Sequence, residues 1–247
     1  MRRLVPLVAV LLLLPSCGGG PDRAADPLAG PLTVFAAASL TDAFGDLGRQ
    51  YEAAHPGAQV TFSFAGSQSL VAQVQQGAPA DVVATADTAS AEAVSDRLDG
   101  PARVLARNRL AIVTETGDPL HLRTLADLAR PSVTVVLAGP TVPAGRAARA
   151  ALEQAGVTVQ PVSEEADVRA VVQRVALGEA DAGIVYATDL QAAQDDVDGR
   201  ALDGVSNAYP AGVVRGSARR AEAQAFLDLA LSPQGAAVLA SYGFLPP

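Results

Sequence analysis

Short β-prone runs alternate with helical patterns along most of the chain, and this alternation limits the fold more than any other feature of the sequence. Residues 32–36 form a β-prone run, and from Ser39 onward apolar residues recur on one face of a helix. The same elements return near residues 168–186, where a helical pattern closed by Gly178 precedes an apolar run that ends at Tyr186. Strands and helices of this length in alternation predict an α/β fold with parallel-rich sheets covered by helices on both faces.

The number of these elements predicts more than one lobe. Further strands are expected at residues 60–64, 81–85, 110–113, 133–137 and 211–214, and further helices at residues 67–76, 89–98, 122–129, 144–154, 219–231 and 233–241. A chain of 247 residues is near the size at which a single core divides, so two lobes with a ligand in the cleft are a natural architecture. We assign residues 32–110 and 211–247 to lobe 1 and residues 111–210 to lobe 2, with crossings near residues 109–113 and 207–214.

The first residues predict export of the chain rather than a folded element. Arg2 and Arg3 precede an apolar run, residues 4–14, which is too short to cross a bilayer core of about 30 Å at about 1.5 Å per residue. A basic start, a short apolar stretch and small residues after it are typical of a secretory signal peptide, here residues 1–16. We therefore expect an extracytoplasmic protein.

The single cysteine, Cys17, predicts how the exported chain is held at the membrane. It follows Leu14-Pro15-Ser16 in a pattern that resembles the lipobox of bacterial lipoproteins, with an incidental cysteine after an ordinary signal peptide as the alternative. A lipid on Cys17 would give firm attachment without a spanning helix. Residues 17–31 show no periodicity, and we interpret them as a lipid-anchored flexible tether.

Charge and residue counts exclude several classes of function. The 18 basic residues are all arginine and face 26 acidic residues, so the net charge is -8, or about -10 without Arg2 and Arg3. This balance argues against binding of nucleic acid or of an anionic membrane surface. One cysteine and two histidines, His55 and His121, exclude a disulfide within the chain and a cysteine-built metal site. We predict no cation site.

Four helical segments begin in a way that suits an anion. Their starts carry small or cap-forming residues, at Ser39, at Ser67, at Ala144 and at Asp167 before Val168. A helix N-terminus offers unpaired N–H groups and a partial positive charge, and small residues let a ligand approach the backbone. In open α/β sheets such turns lie beyond the carboxyl ends of the strands, where ligands bind.

Each of these positions also has an ordinary structural interpretation. Ser39 and Ser67 could be N-caps, which is the commoner role of a serine before a helix. Asp167, which precedes Val168, is better interpreted as a cap than as a ligand contact. Tyr186 could be a core residue with a satisfied hydroxyl group. None of these residues alone is specific for a function.

Taken in order, the motifs of this chain resemble one known family. The motifs are TVFAAASLTDA (33–43), FAGSQSL (64–70), GAPADV (77–82), VPAG (142–145), DVR (167–169), GIVY (183–186), SPQGA (232–236) and YGF (242–244). They resemble those of the periplasmic molybdate-binding proteins of bacterial ABC transporters. The resemblance spans roughly residues 32–245. The ordered set is specific, although no single motif is.

The resemblance implies a two-lobed periplasmic-binding-protein type II fold, in which each lobe is a mixed sheet flanked by helices. It implies that the lobes close over one tetrahedral oxyanion in the interlobe cleft. Carried over to this chain, Ser39 and Ser67 would donate a hydroxyl and a backbone N–H each. Ala144 and Val168 would donate backbone N–H groups, and Tyr186 would donate its phenolic hydroxyl.

One position beside this site departs from the family pattern. The family often has a serine where Gly66 stands in this chain. Because glycine has more conformational freedom than serine, we expect the departure to alter the local freedom of the backbone.

The implied function is capture of molybdate or tungstate for an ABC importer, with a membrane permease and its ATPase as partners. The resemblance implies a monomeric binding protein without a cofactor and without enzyme activity. This agrees with the donor set, because neutral N–H and O–H groups can replace the water around a dianion. A site made only of donors also rejects hydrogen phosphate, whose proton needs an acceptor.

Two other classes of function stay open at this point. A serine hydrolase would need a Gly-x-Ser-x-Gly elbow, and the residues around Ser67 lack the second glycine. The same two-lobed fold could instead bind sulfate, a metal cation or an organic acid. An organic carboxylate usually attracts an arginine clamp, for which Arg146 and Arg169 are close enough in sequence.

Overall fold

The computed structural model describes residues 26–247. The predicted signal peptide and most of the predicted tether, with Cys17, lie outside the described residues.

Within residues 26–247, eight strands form one sheet that has two outer parts and a central strand pair between them. The strands are β1 (Gly30–Ala37), β2 (Ala58–Ala65), β3 (Val82–Ala84), β4 (Arg103–Glu115), β5 (Val135–Ala138), β6 (Ser163–Glu165), β7 (Ala182–Tyr186) and β8 (Val197–Val213). Their order across the sheet is β2-β1-β3-β8-β4-β7-β5-β6. Parallel pairs occupy both outer parts, and the antiparallel pair of β8 and β4 joins them.

Helices cover both parts of the sheet. The α-helices are α1 (Thr41–Ala54), α2 (Ser67–Gln75), α3 (Thr88–Ala93), α4 (Pro143–Gln154), α5 (Val168–Ala176), α6 (Ala187–Ala192), α7 (Arg220–Leu231) and α8 (Pro233–Ser241). Short 3-10 helices lie at Ala38–Leu40, Ser95–Arg97 and Leu125–Ala129. The architecture confirms the predicted α/β class with two lobes, each a mixed sheet flanked by helices.

The first lobe contains β1, β2 and β3, and the second contains β5, β6 and β7. The last two helices of the chain return to the first lobe, where α7 and α8 pack against α1. Edge-to-face contacts join Phe226 of α7 to Phe44 and Tyr51 of α1, with ring centroids 5.9 and 5.7 Å apart. This packing places the end of the chain on the lobe that its beginning forms.

Two long strands connect the lobes. Both β4 and β8 are much longer than the predicted runs at residues 110–113 and 211–214. The prediction was too short because the register of the pair shifts between Val104 and Ala106 and again between Arg109 and Ala111, which interrupts the apolar pattern. The predicted limits of the lobes fall within these two strands and stay a prediction. Strand β6 and helix α6 were absent from the prediction, since both are short and carry polar residues.

A glycine sets how closely one helix start approaches the sheet. A side chain at Gly145, in the first turn of α4, would lie 2.0 Å from the carbonyl oxygen of Gly139 and 2.4 Å from that of Ala138. Only glycine fits at this distance, so the N-terminus of α4 lies directly against the chain that leaves β5. In the described part of the chain, no helix has the length and apolar character needed to cross a membrane.

Candidate functional site

All five residues predicted to form the site line a single small cavity between the lobes. The space between these residues is small, about 210 Å³ with part of the open cleft included. Its wall contains Ser39, Ser67, Ala144, Val168 and Tyr186, each no more than 7% exposed. Small and apolar residues complete most of the wall: Ala37, Ala38, Ala65, Gly66, Ala86, Val142 and Pro143. A cavity of this size suits a compact ligand.

The first lobe contributes two serines that follow parallel strands. Ser39 lies in the 3-10 helix after β1, and Ser67 is the first residue of α2 after β2. Neither side chain caps its helix, so the N-cap interpretation of these serines is wrong. The Ser67 hydroxyl instead accepts a hydrogen bond from the N–H of Ala86 at 3.0 Å. The Ser39 hydroxyl lies 2.9 Å from the hydroxyl of Tyr209.

The second lobe contributes two helix starts. Ala144 follows Pro143 in the first turn of α4, and Val168 is the first residue of α5. Among the described residues, the N–H groups of Ala144 and Val168 have no hydrogen-bond acceptor. Asp167 accepts a hydrogen bond from the N–H of Ala170 at 3.0 Å, as its interpretation as a cap predicts. It also lies in the cavity wall.

The tyrosine of the site is held by an asparagine. Tyr186 ends β7, and its hydroxyl accepts a hydrogen bond from Nδ2 of Asn207 at 2.8 Å. Burial raises the pKa of Tyr186 well above that of a free phenol, and burial also raises the pKa of Tyr209. Both hydroxyl groups therefore keep their protons at neutral pH and remain able to donate.

Arginine side chains approach the cleft but bind carboxylates rather than face the cavity. Arg146 donates from Nη2 and Nε to Oδ2 of Asp87, at 2.6 and 2.9 Å, and so connects the second lobe to the first. Arg169 forms an ion pair with Asp42 that also joins the lobes. In the described part of the chain no arginine lines the cavity. These pairs argue against the arginine clamp that an organic carboxylate would need.

Gly66 brings the lobes together at the edge of the cavity. A side chain here would lie 2.5 Å from the carbonyl oxygen of Ala166 on the second lobe. Nε2 of Gln68 donates to the same carbonyl oxygen at 2.8 Å. The φ angle of Gly66 is -59°, which any residue can adopt. Glycine therefore suits this position because it is small, and not because of its backbone conformation. The expectation of altered backbone freedom at Gly66 stays a prediction.

A buried acid lies behind the tyrosine. Asp189 is 3% exposed, and its Oδ2 accepts a hydrogen bond from the N–H of Tyr186 at 3.2 Å. Its Oδ1 has no partner among the described residues. Burial raises the pKa of Asp189 to about 7, although the charge of Arg169 opposes the shift. Asp189 was not predicted as a site residue, because it lies in the short helix α6, which the sequence pattern did not predict.

Two asparagines behind the site were also missed. Asn108 is fully buried, and its Nδ2 donates to Oγ1 of Thr188 at 2.8 Å and to the hydroxyl of Tyr209 at 3.3 Å. Asn207 donates to the carbonyl oxygen of Ala86 at 3.2 Å as well as to Tyr186. Both belong to the long connecting strands, where the sequence pattern gave no signal. In residues 26–247, no group of His, Cys, Asp and Glu side chains is arranged to hold a metal ion.

Comparison with known proteins gives the family of this chain. A family model described as a bacterial extracellular solute-binding protein matches residues 32–245. The molybdate-binding protein ModA of Mycobacterium tuberculosis (strain CDC 1551 / Oshkosh) is 38% identical over 252 residues, which cover 98% of this chain and 97% of that protein. These similarities confirm the predicted family, and they favour a solute-binding protein over a hydrolase.

Solved structures show the same fold at lower identity. The periplasmic molybdate-binding protein of Azotobacter vinelandii has a TM-score of 0.78 and 21% identity, covering 87% of this chain and 99% of that chain. The sulfate-binding protein SubI of Mycobacterium tuberculosis H37Rv has a TM-score of 0.77 and 20% identity, covering 87% of this chain and 86% of that chain. Because the two scores are nearly equal, the fold alone does not distinguish one oxyanion from another.

Proposed function

Since this chain belongs to the bacterial extracellular solute-binding proteins and, among them, to the molybdate-binding family, we propose that it captures molybdate or tungstate for an ABC importer. One observation carries the proposal. The five residues to which the family resemblance assigns the oxyanion line one small cavity, and no arginine or other cation in the described residues lines it with them.

The available hydrogen-bond donors match a doubly charged oxyanion. The N–H groups of Ser39, Ser67, Ala144 and Val168 begin helices and lack acceptors among the described residues, and three hydroxyl groups from Ser39, Ser67 and Tyr186 join them. A hydrogen bond to a charged group contributes about 1.5–3 kcal/mol. Seven such bonds would contribute roughly 10–21 kcal/mol, against a cost of association of roughly 4–15 kcal/mol, so neutral donors can support tight binding without a countercharge.

Because the donors come from both lobes, binding of the ligand would also change the shape of the protein. Serine donors come from the first lobe, while Ala144, Val168 and Tyr186 come from the second. A ligand held from both sides favours the closed arrangement, which is a hinge-type population shift. The closed form would be recognised by the membrane permease, whose ATPase drives transport. The protein would act as a monomer and without a cofactor.

The family is extracytoplasmic, and we propose that a lipid on Cys17 anchors this chain to the membrane. Residues 18–31 would then form the tether between the lipid and the folded body. Labelling of cells with a radioactive fatty acid tests the anchor. The intact chain should take up label, and a Cys17→Ser variant should not. Equal labelling of the two would contradict the proposal.

Titration calorimetry with molybdate, tungstate, sulfate and phosphate tests the ligand. We expect strong binding of molybdate and tungstate, weaker binding of sulfate because it is smaller, and little binding of phosphate. A double Ser39→Ala/Ser67→Ala variant should lose most of this heat. Ser63→Ala, which changes a serine of β2 outside the cavity wall, serves as its control. Sulfate binding that equals or exceeds molybdate binding would overturn the assignment.

A further inference from the structure

The only two asparagines of the chain lie opposite each other at the junction of the lobes. Asn108 of β4 and Asn207 of β8 are register partners in the antiparallel pair that joins the two halves. Residues directly opposite in such a pair project to the same face of the sheet. Both side chains thus come from the connecting strands and reach the groups behind the cavity.

Fixed neighbours set the orientation of both amides. The N–H of Arg109 donates to Oδ1 of Asn108 at 2.9 Å, which leaves Nδ2 to face Thr188 and Tyr209. Nδ2 of Asn207 faces the carbonyl oxygen of Ala86 at 3.2 Å, and a carbonyl can only accept. The NH₂ groups of both asparagines are therefore donors toward the tyrosine hydroxyls.

The oriented amides in turn orient the hydroxyl groups of Tyr186, Tyr209 and Ser39. The hydroxyl of Tyr186 accepts from Asn207 at 2.8 Å, which leaves its proton for an acceptor in the cavity. The hydroxyl of Tyr209 accepts from Asn108, and its proton is then available to Oγ of Ser39 at 2.9 Å. Ser39, having accepted from Tyr209, keeps its own proton for the cavity.

Ser67 accepts a hydrogen bond from the same residue whose carbonyl oxygen Asn207 binds. Asn207 binds the carbonyl oxygen of Ala86, and the N–H of Ala86 donates to Oγ of Ser67 at 3.0 Å. All three hydroxyl oxygens of the site thus accept a hydrogen bond from the protein. Each hydroxyl keeps its own proton, which is available to the ligand.

We infer that Asn108 and Asn207 are positioning residues that turn the hydroxyl protons of Tyr186 and Ser39 toward the ligand. The inference rests on the proposed function, and it concerns the part of the selectivity that comes from the hydroxyl groups; Asp167 of the cavity wall is a separate acceptor, which already binds the N–H of Ala170. A fully deprotonated oxyanion accepts from all three hydroxyls. Hydrogen phosphate carries a proton that needs an acceptor, whereas the oriented hydroxyls present their protons to the ligand.

The variant Asn207→Asp tests this by reversing one hydrogen bond. A carboxylate at position 207 accepts the Tyr186 proton, so the hydroxyl turns a lone pair toward the cavity. The measurement is the ratio of molybdate affinity to phosphate affinity at pH 8, by calorimetry. Both ligands are then mainly dianions, so an added negative charge weakens both alike and cancels in the ratio. We expect the ratio to fall at least roughly tenfold, the change produced by one hydrogen bond to a charged group.

Two further variants separate orientation from charge and from structure. Asn207→Leu removes the donor without adding charge, and we expect the ratio to fall roughly threefold because Tyr186 then rotates freely. Ser206→Asp adds a carboxylate at the neighbouring, exposed position of β8 and should leave the ratio unchanged. A site that is merely loosened would lose affinity for both ligands in proportion.

The outcomes separate the inference from the proposed function. A wild-type protein that binds neither molybdate nor tungstate overturns the proposed function. A wild-type protein that binds them, with the same ratio in Asn207→Asp and Asn207→Leu, overturns only the inference. If Asn207→Asp does not fold, Asn207→Leu and Asn108→Leu decide the question, since both are neutral and act on different tyrosines.

Discussion

The two lobes furnish the same cavity with chemically different donors. The first lobe presents the side chains of Ser39 and Ser67. The second presents two helix starts, at Ala144 and Val168, where the donor is the backbone and the side chain is incidental, and adds the hydroxyl of Tyr186. Both lobes therefore offer backbone N–H groups, but each first-lobe position adds a serine hydroxyl, whereas the side chains of Ala144 and Val168 add no donor. Substitutions should have different consequences on the two sides.

The sharpest test of this difference is a pair of substitutions at Val168. Val168→Pro removes the N–H without disturbing the helix, because proline fits the first position of a helix and Asp167 before it is already extended. The ring would also occupy space that the oxyanion needs, so we expect a loss of molybdate affinity of roughly 100-fold or more. Val168→Ala keeps the N–H and should change affinity less than about threefold. Calorimetry measures both, with thermal melting to verify folding.

Equal losses for the two Val168 variants would mean that the side chain, and not the backbone, matters. That result would remove the distinction between the lobes.

Asp189, the buried acid of the second lobe that binds the N–H of Tyr186, makes a pH-dependent contribution to stability. Its pKa of about 7 lies above the 3.8 of a free side chain, so the folded state binds the proton more tightly than the unfolded state. This contribution to the free energy of unfolding is fully present below pH 4 and is lost as the pH rises through 7. Relative to Asp189→Asn, the wild-type protein should lose about 3 kcal/mol between pH 5 and pH 8. Urea unfolding at several pH values measures this, and parallel pH profiles for the two proteins would contradict it.

Removal of one hydroxyl in the first lobe should have a moderate effect on binding. Ser67→Ala deletes a donor to the ligand and the acceptor for the Ala86 N–H. We expect molybdate affinity to fall roughly 10- to 100-fold, which corresponds to one hydrogen bond to a charged group. Ser63→Ala is the matched control and should bind as the wild type does. An unchanged affinity in Ser67→Ala would reduce this serine to a structural residue.

The smallest effect is expected for the arginines at the rim. Arg146→Gln breaks the pair with Asp87, and because Arg146 is partly exposed the pair contributes only about 0.2–1 kcal/mol. Affinity should therefore fall no more than about fivefold, and less at high salt. A loss beyond about 30-fold would show that Arg146 contacts the ligand and that the site is not built from neutral donors. Calorimetry at low and high salt measures this.

Much of the fold and of the site could be predicted from the sequence, but the support behind the site could not. Local patterns predicted the helices at residues 144–154 and 233–241 and the strand that ends at Tyr186, because apolar periodicity and glycine or proline boundaries act within a few residues. The family motifs added the five site residues. The apolar periodicity is a local signal, and the family motifs are short segments recognised by their order along the chain.

The long-range contacts had no such signal. Asn108 and Asn207 meet only because β4 and β8 pair over their length, and the irregular register of these strands hides their extent in the sequence. The pairs of Arg146 with Asp87 and of Arg169 with Asp42 likewise depend on how the lobes face each other. The same arginines looked like candidate ligands from sequence because only their neighbours along the chain were visible.

A crystal structure with molybdate, with the anomalous signal of molybdenum recorded, locates the oxyanion without assumptions about its contacts. We expect one strong peak between the lobes, within hydrogen-bond distance of the Ser39 and Ser67 hydroxyls, the Ala144 and Val168 N–H groups and the Tyr186 hydroxyl. A peak bound by one lobe alone, or by the guanidinium of Arg146 or Arg169, would contradict the idea that neutral donors from both lobes share one dianion.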